Sequence, residues 1–390
     1  MTEAAPTNDL DPAALVDAAR RQAGLDRFGD PAWREGLERL CESLNAEARL
    51  NELGRIIWRQ RLLGYLVQRL HIEDWFRRHP EIEAQEIPAP IFVIGLPRTG
   101  TTALSNLLAQ DPGTRSLRVW ESSEPTPPPE TAHEHDDPRI ATAVQALEMM
   151  RTVAPRLAQM HEDTPTGPTE NHDLLGFSFR TYHFEGMAAV PSYTAWWLGC
   201  DMVPAYRYHR RVLQLLQWRC PPSRWHLKSP PDIFALDAVL AVYPDARFVM
   251  THRDPARVMG SVCSLISTVH ELTGQTPDPQ RLGAAQVEAW VEGLRRALGM
   301  RRRIGEARFV DVHFDDLVSD PIDTVRAAYA GLGWSLTGEA ERRMRRWAAD
   351  NPRGKHGEHA YTLEQYGLDG AGVRSAFRFY TERCGIRPEG

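Results

Sequence analysis

The chain has 390 residues, of which 42% are apolar and 25% charged, and its formal net charge is −6. That length and apolar content suit a sizeable core, arranged as two or three domains or as one large α/β domain with additions. The acidic balance argues against a general nucleic-acid binder, which carries a basic face, and no apolar run reaches the 18 residues of a membrane span. The opening residues Met1–Asp9 have no basic start and no apolar segment, so no secretory leader is expected and residues 1–10 read as disordered. The five cysteines (Cys41, Cys200, Cys220, Cys263, Cys384) are far apart and form no C-x-x-C pair. Neither a disulfide framework nor a zinc site is expected, and a reduced, cytoplasmic protein is the simplest reading.

In chain order, residues 12–78 have helical spacing and are rich in Arg, Glu and Leu; Pro80, Pro88 and Pro90 end the region. Residues 1–88 therefore read as a helical extension packed on a domain spanning 89–390. Ile91–Ile94 is a buried strand and Thr101–Gln110 a helix, with a second strand expected at Leu117–Trp120. Prolines 125 and 127–129 and the acidic stretch Glu130–Asp137 make a solvent loop. Helices are expected at Ile140–His161, Glu170–Arg180 and Tyr206–Trp218. Strands at Arg224–Lys228, Arg247–Thr251 and Arg308–Val312 alternate with helices at Asp232–Val242, Pro255–His270, Val287–Ile304 and Thr324–Leu332. This alternation predicts a three-layer, P-loop-like α/β fold with a mostly parallel central sheet. Ligands then sit at the carboxyl ends of the strands.

Three segments fall at those ends. The first is the loop Gly95-Leu-Pro97-Arg98-Thr99-Gly100-Thr101-Thr102, between a strand and a helix, where backbone N–H groups hold phosphate-like anions. It has the glycine spacing of a nucleotide-triphosphate loop, but Thr101 stands in the lysine position and the nearby cation is Arg98. The second is Phe248-Val-Met-Thr-His-Arg253, with Ser261 eight residues on. The third is Trp225-His-Leu-Lys228. Of 46 basic side chains only Lys228 and Lys355 are lysines, and both lie in motif-like segments.

Together these segments resemble the sulfotransferases that use 3′-phosphoadenosine 5′-phosphosulfate, and most closely the bacterial branch whose arginine-type loop is shared with tyrosylprotein sulfotransferases. The resemblance covers residues 90–370. It implies that Pro97, Arg98, Thr99, Gly100, Thr101 and Thr102 cradle the 5′-phosphosulfate, and that Arg253 and Ser261 bind the 3′-phosphate. Arg98 and Lys228 would neutralise charge on the leaving phosphate, with 3′,5′-adenosine bisphosphate as product. The transferred group carries less charge than a phosphoryl group, so no metal is expected. Two candidates for the base stay open. Glu121 lies where the tyrosylprotein branch carries its catalytic glutamate, and His172 lies in Thr169-Glu-Asn-His-Asp173, a stretch that also reads as an ordinary helix start.

Residues 351–362 contain Arg353 and Lys355 in a glycine-rich stretch that looks like the family's nucleotide lid, although the order Arg-Gly-Lys departs from the usual Arg-Lys-Gly. His356 and His359 in it lack a third metal ligand by spacing, and Asp315-Asp316 reads as structural rather than as a magnesium pair. Seven aromatics between Phe177 and Trp197 suit either a core or an apolar acceptor pocket. The expectation is sulfuryl transfer to the hydroxyl of a small, partly apolar acceptor. A nucleoside-triphosphate-dependent kinase and a nucleotide-binding protein without turnover are the alternatives.

Overall fold

Five strands form one sheet: β1 (Ile91–Gly95), β2 (Arg115–Ser116), β3 (Trp225–Lys228), β4 (Arg247–His252) and β5 (Phe309–His313). Their order is β2-β3-β1-β4-β5 and every pair is parallel. The computed structural model describes residues 10–160, 163–221, 224–352 and 361–389. All five residues of β1 and all four of β3 are buried, as expected of parallel strands covered on both faces. Phe92 and Ile94 face a large core, whereas Ile91 and Val93 face a smaller one.

Three helices precede the sheet: α1 (Pro12–Ala23), α2 (Trp33–Ala46) and α3 (Glu52–Arg78). Asp11 and Asn51 cap α1 and α3 by accepting first-turn N–H groups. Between β1 and β3 lie α4 (Thr101–Leu108), α5 (Val119–Ser123), α6 (Pro138–Val153), α7 (Pro155–Met160), α8 (His172–Gly176), α9 (His183–Met187), α10 (Pro191–Gly199) and α11 (Val203–Gln217). The later crossovers are α12 (Leu236–Val242), α13 (Pro255–Leu272) and α14 (Pro279–Ile304), the last two begun by Asp-Pro caps at Asp254 and Asp278. After β5 come α15 (Phe314–Ser319), α16 (Pro321–Gly331), α17 (Gly338–Asp350), α18 (Gly370–Ala376) and α19 (Arg378–Cys384). Side chains of α4, α16 and α17 fill the smaller core, and α1–α3 share the larger one with α8–α14.

Three local expectations change. The apolar run Leu117–Trp120 is no strand of the sheet: only Arg115–Ser116 pair with β3, Arg118 makes an isolated antiparallel bridge to Pro168, and α5 starts at Val119, where Glu121 folds back onto the Arg118 N–H. The helix expected over Ile140–His161 stops at Val153, since Pro155 lacks an N–H and drives Ala154 to φ −133°. The helix expected over Glu170–Arg180 is only α8, and Phe179 follows at φ 51°.

Candidate active site

The loop between β1 and α4 is shaped by its glycines. Gly95 has φ 139°, and a Cβ there would lie 2.5 Å from the Thr251 carbonyl oxygen. Gly100 has φ 90°, and a Cβ would meet Leu317 at 2.9 Å. The main chain therefore presses against β4 on one side and α15 on the other, which only glycine permits. Thr99, fully buried, donates its hydroxyl to the Leu96 carbonyl at 2.7 Å and lies 2.5 Å from the Thr251 hydroxyl. The first turn of α4 carries no side-chain cap, so its N–H groups are left to an anion. Arg98 sits at φ 63°, a left-handed conformation that costs a non-glycine residue about 1 kcal/mol. That turn brings its Nε to within 3.2 Å of Ser261 Oγ on α13.

Arg253 leaves the end of β4 and donates Nη1 to the Arg98 carbonyl at 3.2 Å, with its guanidinium over the Phe314 ring at 3.9 Å. Burial pulls the Arg98 pKa down; Tyr361 opposes the shift and the neighbouring Arg253 charge adds to it. Arg98, Arg253 and Ser261 thus converge beside the loop. Two of the three sequence-predicted segments meet here: the loop Pro97–Thr102 and the strand end that carries Arg253 with Ser261.

One strand over, β3 ends at Lys228, which is 1% exposed and pairs through Nζ with Glu170 Oε1 at 3.0 Å. The β3 end is tied to β1 by the Ser229 N–H on the Val93 carbonyl, and the Asn171 N–H closes on the Lys228 carbonyl. Glu170 Oε2 stands 3.6 Å from His172 Nδ1, and the His172 ring stacks on His183 with centroids 3.8 Å apart. Burial opposes protonation of His172, but the Asp173 and Glu170 carboxylates outweigh it and raise its pKa. His183, buried beside that charge, is pushed well below the usual histidine range. The two stacked rings are thus shifted in opposite directions. Asp173 is anchored by the Tyr65 hydroxyl at 2.8 Å and the Ser122 hydroxyl at 3.0 Å, so α3 and α5 both reach this cluster.

The chain thus places a strand–loop–helix turn between two strand ends, one with a lysine and one with an arginine. Residues 90–338 match the sequence profile of the sulfotransferase family. The chain belongs to that family. Over 143 residues this sulfotransferase is 30% identical to the omega-hydroxy-beta-dihydromenaquinone-9 sulfotransferases Stf3 of Mycobacterium bovis and Mycobacterium tuberculosis. That match spans 36% of the chain and 36% of each relative's length. Among solved structures, sulfotransferase STF9 from Mycobacterium avium superposes with a TM-score of 0.91 at 30% identity, covering all of both chains. Sulfotransferase STF1 from Mycobacterium tuberculosis gives 0.85 at 34% identity, covering 95% of this chain and 99% of that one.

Within the sulfotransferase, Glu121 occupies a place unlike that expected of a base. Its carboxylate is fully buried on α5 and held by Arg115 Nη2 at 2.5 Å and Arg118 Nη2 at 2.6 Å. Burial alone raises its pKa, but the two guanidinium groups outweigh that and hold it below the carboxylate range. Arg353 and Lys355 lie outside the described residues. Tyr361, just after them, lies against Gly260 and donates its hydroxyl to the Arg257 carbonyl at 2.9 Å, so the chain returns to α13 beside Ser261. Six of the seven aromatics of residues 177–197 are core; Trp196 alone is half-buried. Among the described residues no three His, Cys, Asp or Glu side chains gather as a metal site, and no helix is long and apolar enough to cross a membrane. Glu170 was legible only as a helix-start acid; no spacing in the sequence announces a partner 58 residues away.

Proposed function

We propose that this sulfotransferase moves a sulfuryl group from 3′-phosphoadenosine 5′-phosphosulfate to a hydroxyl of an apolar acceptor. The reading is carried by the convergence of Arg98, Arg253 and Ser261 on the loop from Gly95 to Gly100. Backbone N–H groups of Thr99–Thr102 bind the 5′-phosphosulfate, and Arg253 with Ser261 binds the 3′-phosphate. The acceptor oxygen attacks sulfur in line, the bond from sulfur to the bridging oxygen breaks, and the electron pair stays on the leaving phosphate. Arg98 and Lys228 neutralise that charge. The acceptor proton goes to Glu170, whose carboxylate lies between Lys228 and His172. His172, whose pKa the Asp173 and Glu170 carboxylates raise, is better suited to position Glu170 than to act as the base itself, and Glu121 is held by two arginines.

An apolar acceptor accords with the name of the menaquinone-directed relatives. It accords also with α6, packed on α5, whose Met149, Met150 and Val153 are exposed. The test is calorimetric titration with 3′,5′-adenosine bisphosphate, ADP and ATP, each with and without magnesium. Micromolar binding of the bisphosphate, indifferent to magnesium and weakened in Arg253→Ala, is the expected result. A preference for ATP with magnesium would overturn the donor assignment in favour of a kinase.

A further inference from the structure

Arg253 is not waiting with an open guanidinium. Its Nε and Nη2 donate to the two carboxylate oxygens of Glu389 at 2.8 and 2.9 Å, and Arg257 Nε stands 3.9 Å from the same group. Glu389 is placed there by its main chain rather than by chance contact of a long side chain. Its N–H donates to Asp254 Oδ2 at 2.8 Å and its carbonyl accepts from Arg374 Nη2 at 2.9 Å. Asp254 and Arg374 are themselves bound side by side, at 3.1 and 2.7 Å, and Asp254 also caps α13. This clamp delivers one carboxylate, fork to fork, onto the arginine that lies beside Arg98 and Ser261.

We propose that Glu389 is an internal competitor for the 3′-phosphate: it occupies Arg253 between turnovers and retakes it as the bisphosphate product leaves. The proposal rests on the reading of Arg253 as the 3′-phosphate site. A carboxylate and a phosphate present the same paired oxygens to a guanidinium fork, so one replaces the other without rearranging Arg253. The phosphate carries more charge and wins when the donor's other contacts are made. When those contacts weaken after transfer, the carboxylate spares Arg253, whose side chain is 14% exposed, from standing without an anion. Binding is weakened by the fraction of time Glu389 is in place, and release is quickened by the same exchange.

Calorimetry and stopped-flow release on the full chain test this with 3′,5′-adenosine bisphosphate and, as a probe lacking the 3′-phosphate, 5′-AMP. Glu389→Gln is expected to tighten the bisphosphate on the order of tenfold and to slow its release, while leaving 5′-AMP unchanged. Unchanged or weaker bisphosphate binding in Glu389→Gln, with Arg253→Ala still weakening it, overturns the competitor and leaves the donor reading standing. If Arg253→Ala leaves the bisphosphate unaffected, Arg253 does not read the 3′-phosphate, and both fall together. An equal tightening of 5′-AMP means that Glu389 acts on the site's overall charge, which also overturns the competition.

Discussion

Two carboxylates each face basic side chains but differ in burial. Glu121 has no exposed surface and its oxygens are taken by Arg115, Arg118 and the Arg118 N–H, the setting we propose for a structural counter-ion. Glu170 keeps 21% of its side chain exposed and shares its carboxylate between Lys228 and His172. Glu170→Gln should therefore lower kcat by ~10²–10⁴ with bisphosphate affinity nearly unchanged, read from steady-state kinetics beside calorimetry. Glu121→Gln should instead lose about 3–5 kcal/mol of stability, because Arg115 and Arg118 lose the buried carboxylate they share, while the folded fraction keeps its kcat; urea unfolding with activity per folded molecule separates the two. Behind Asn171, Asp232 is held by the Tyr206 hydroxyl at 2.7 Å and the Asn171 amide at 3.1 Å. Burial nevertheless pushes its pKa up to about 7 from 3.8. A carboxyl raised on folding contributes stability that is present below its unfolded pKa and lost as pH rises through the folded value. The thermal midpoint of Asp232→Asn should thus gain on the parent protein between pH 5 and pH 8; a difference that stays flat across that window would show that Asp232 does not titrate there.

At the scale of elements, the loop after β1 works because two strands and a helix meet with no room for a side chain. Gly95→Ala places a methyl 2.5 Å from the Thr251 carbonyl at φ 139°, and should cost roughly 2–4 kcal/mol and most of the nucleotide affinity, seen together in thermal unfolding and calorimetry. The same crowding explains which elements were legible in the sequence. β1, β3, β4 and β5 are short apolar runs ended by turn residues, and their expected ranges differ from the observed ones by a residue or two. β2 was misplaced because two residues of pairing leave no periodicity, and the apolar run beside them belongs to a capped helix turn. Pro155 did announce the end of α6, but the apolar pattern on either side of it reads as continuous. The anion loop was readable because its chemistry is local. Glu170 opposite Lys228, and Glu389 on Arg253, depend on segments 58 and 136 residues apart, which no local pattern encodes.

Across the whole molecule, Arg69 of α3 ties the α1–α2 connection to the turn after α8 and to α11. It is 1% exposed and donates to the carbonyls of Phe28, Asp30 and Phe177 at 2.6, 2.8 and 3.0 Å, while its guanidinium stacks on Tyr208 at 3.7 Å. Arg69→Ala leaves three buried carbonyls without donors and should lower stability by about 3–5 kcal/mol in urea unfolding. Arg69→Lys should recover little, since one ammonium cannot serve three oxygens held in a plane. The aromatic contacts Trp33–Phe179, Trp58–Phe184 and Tyr65–Phe177 run along the same seam. Their two halves are separated by 112 to 146 residues of chain. On a ribosome adding ~5–20 residues per second, Trp33, Trp58 and Tyr65 emerge many seconds before their partners exist. During that interval α1–α3 are amphipathic helices without a surface to cover them, the kind of segment that holding chaperones retain. The yield of native enzyme in a cell is therefore set by how well that wait is bridged, a kinetic burden invisible in the finished fold.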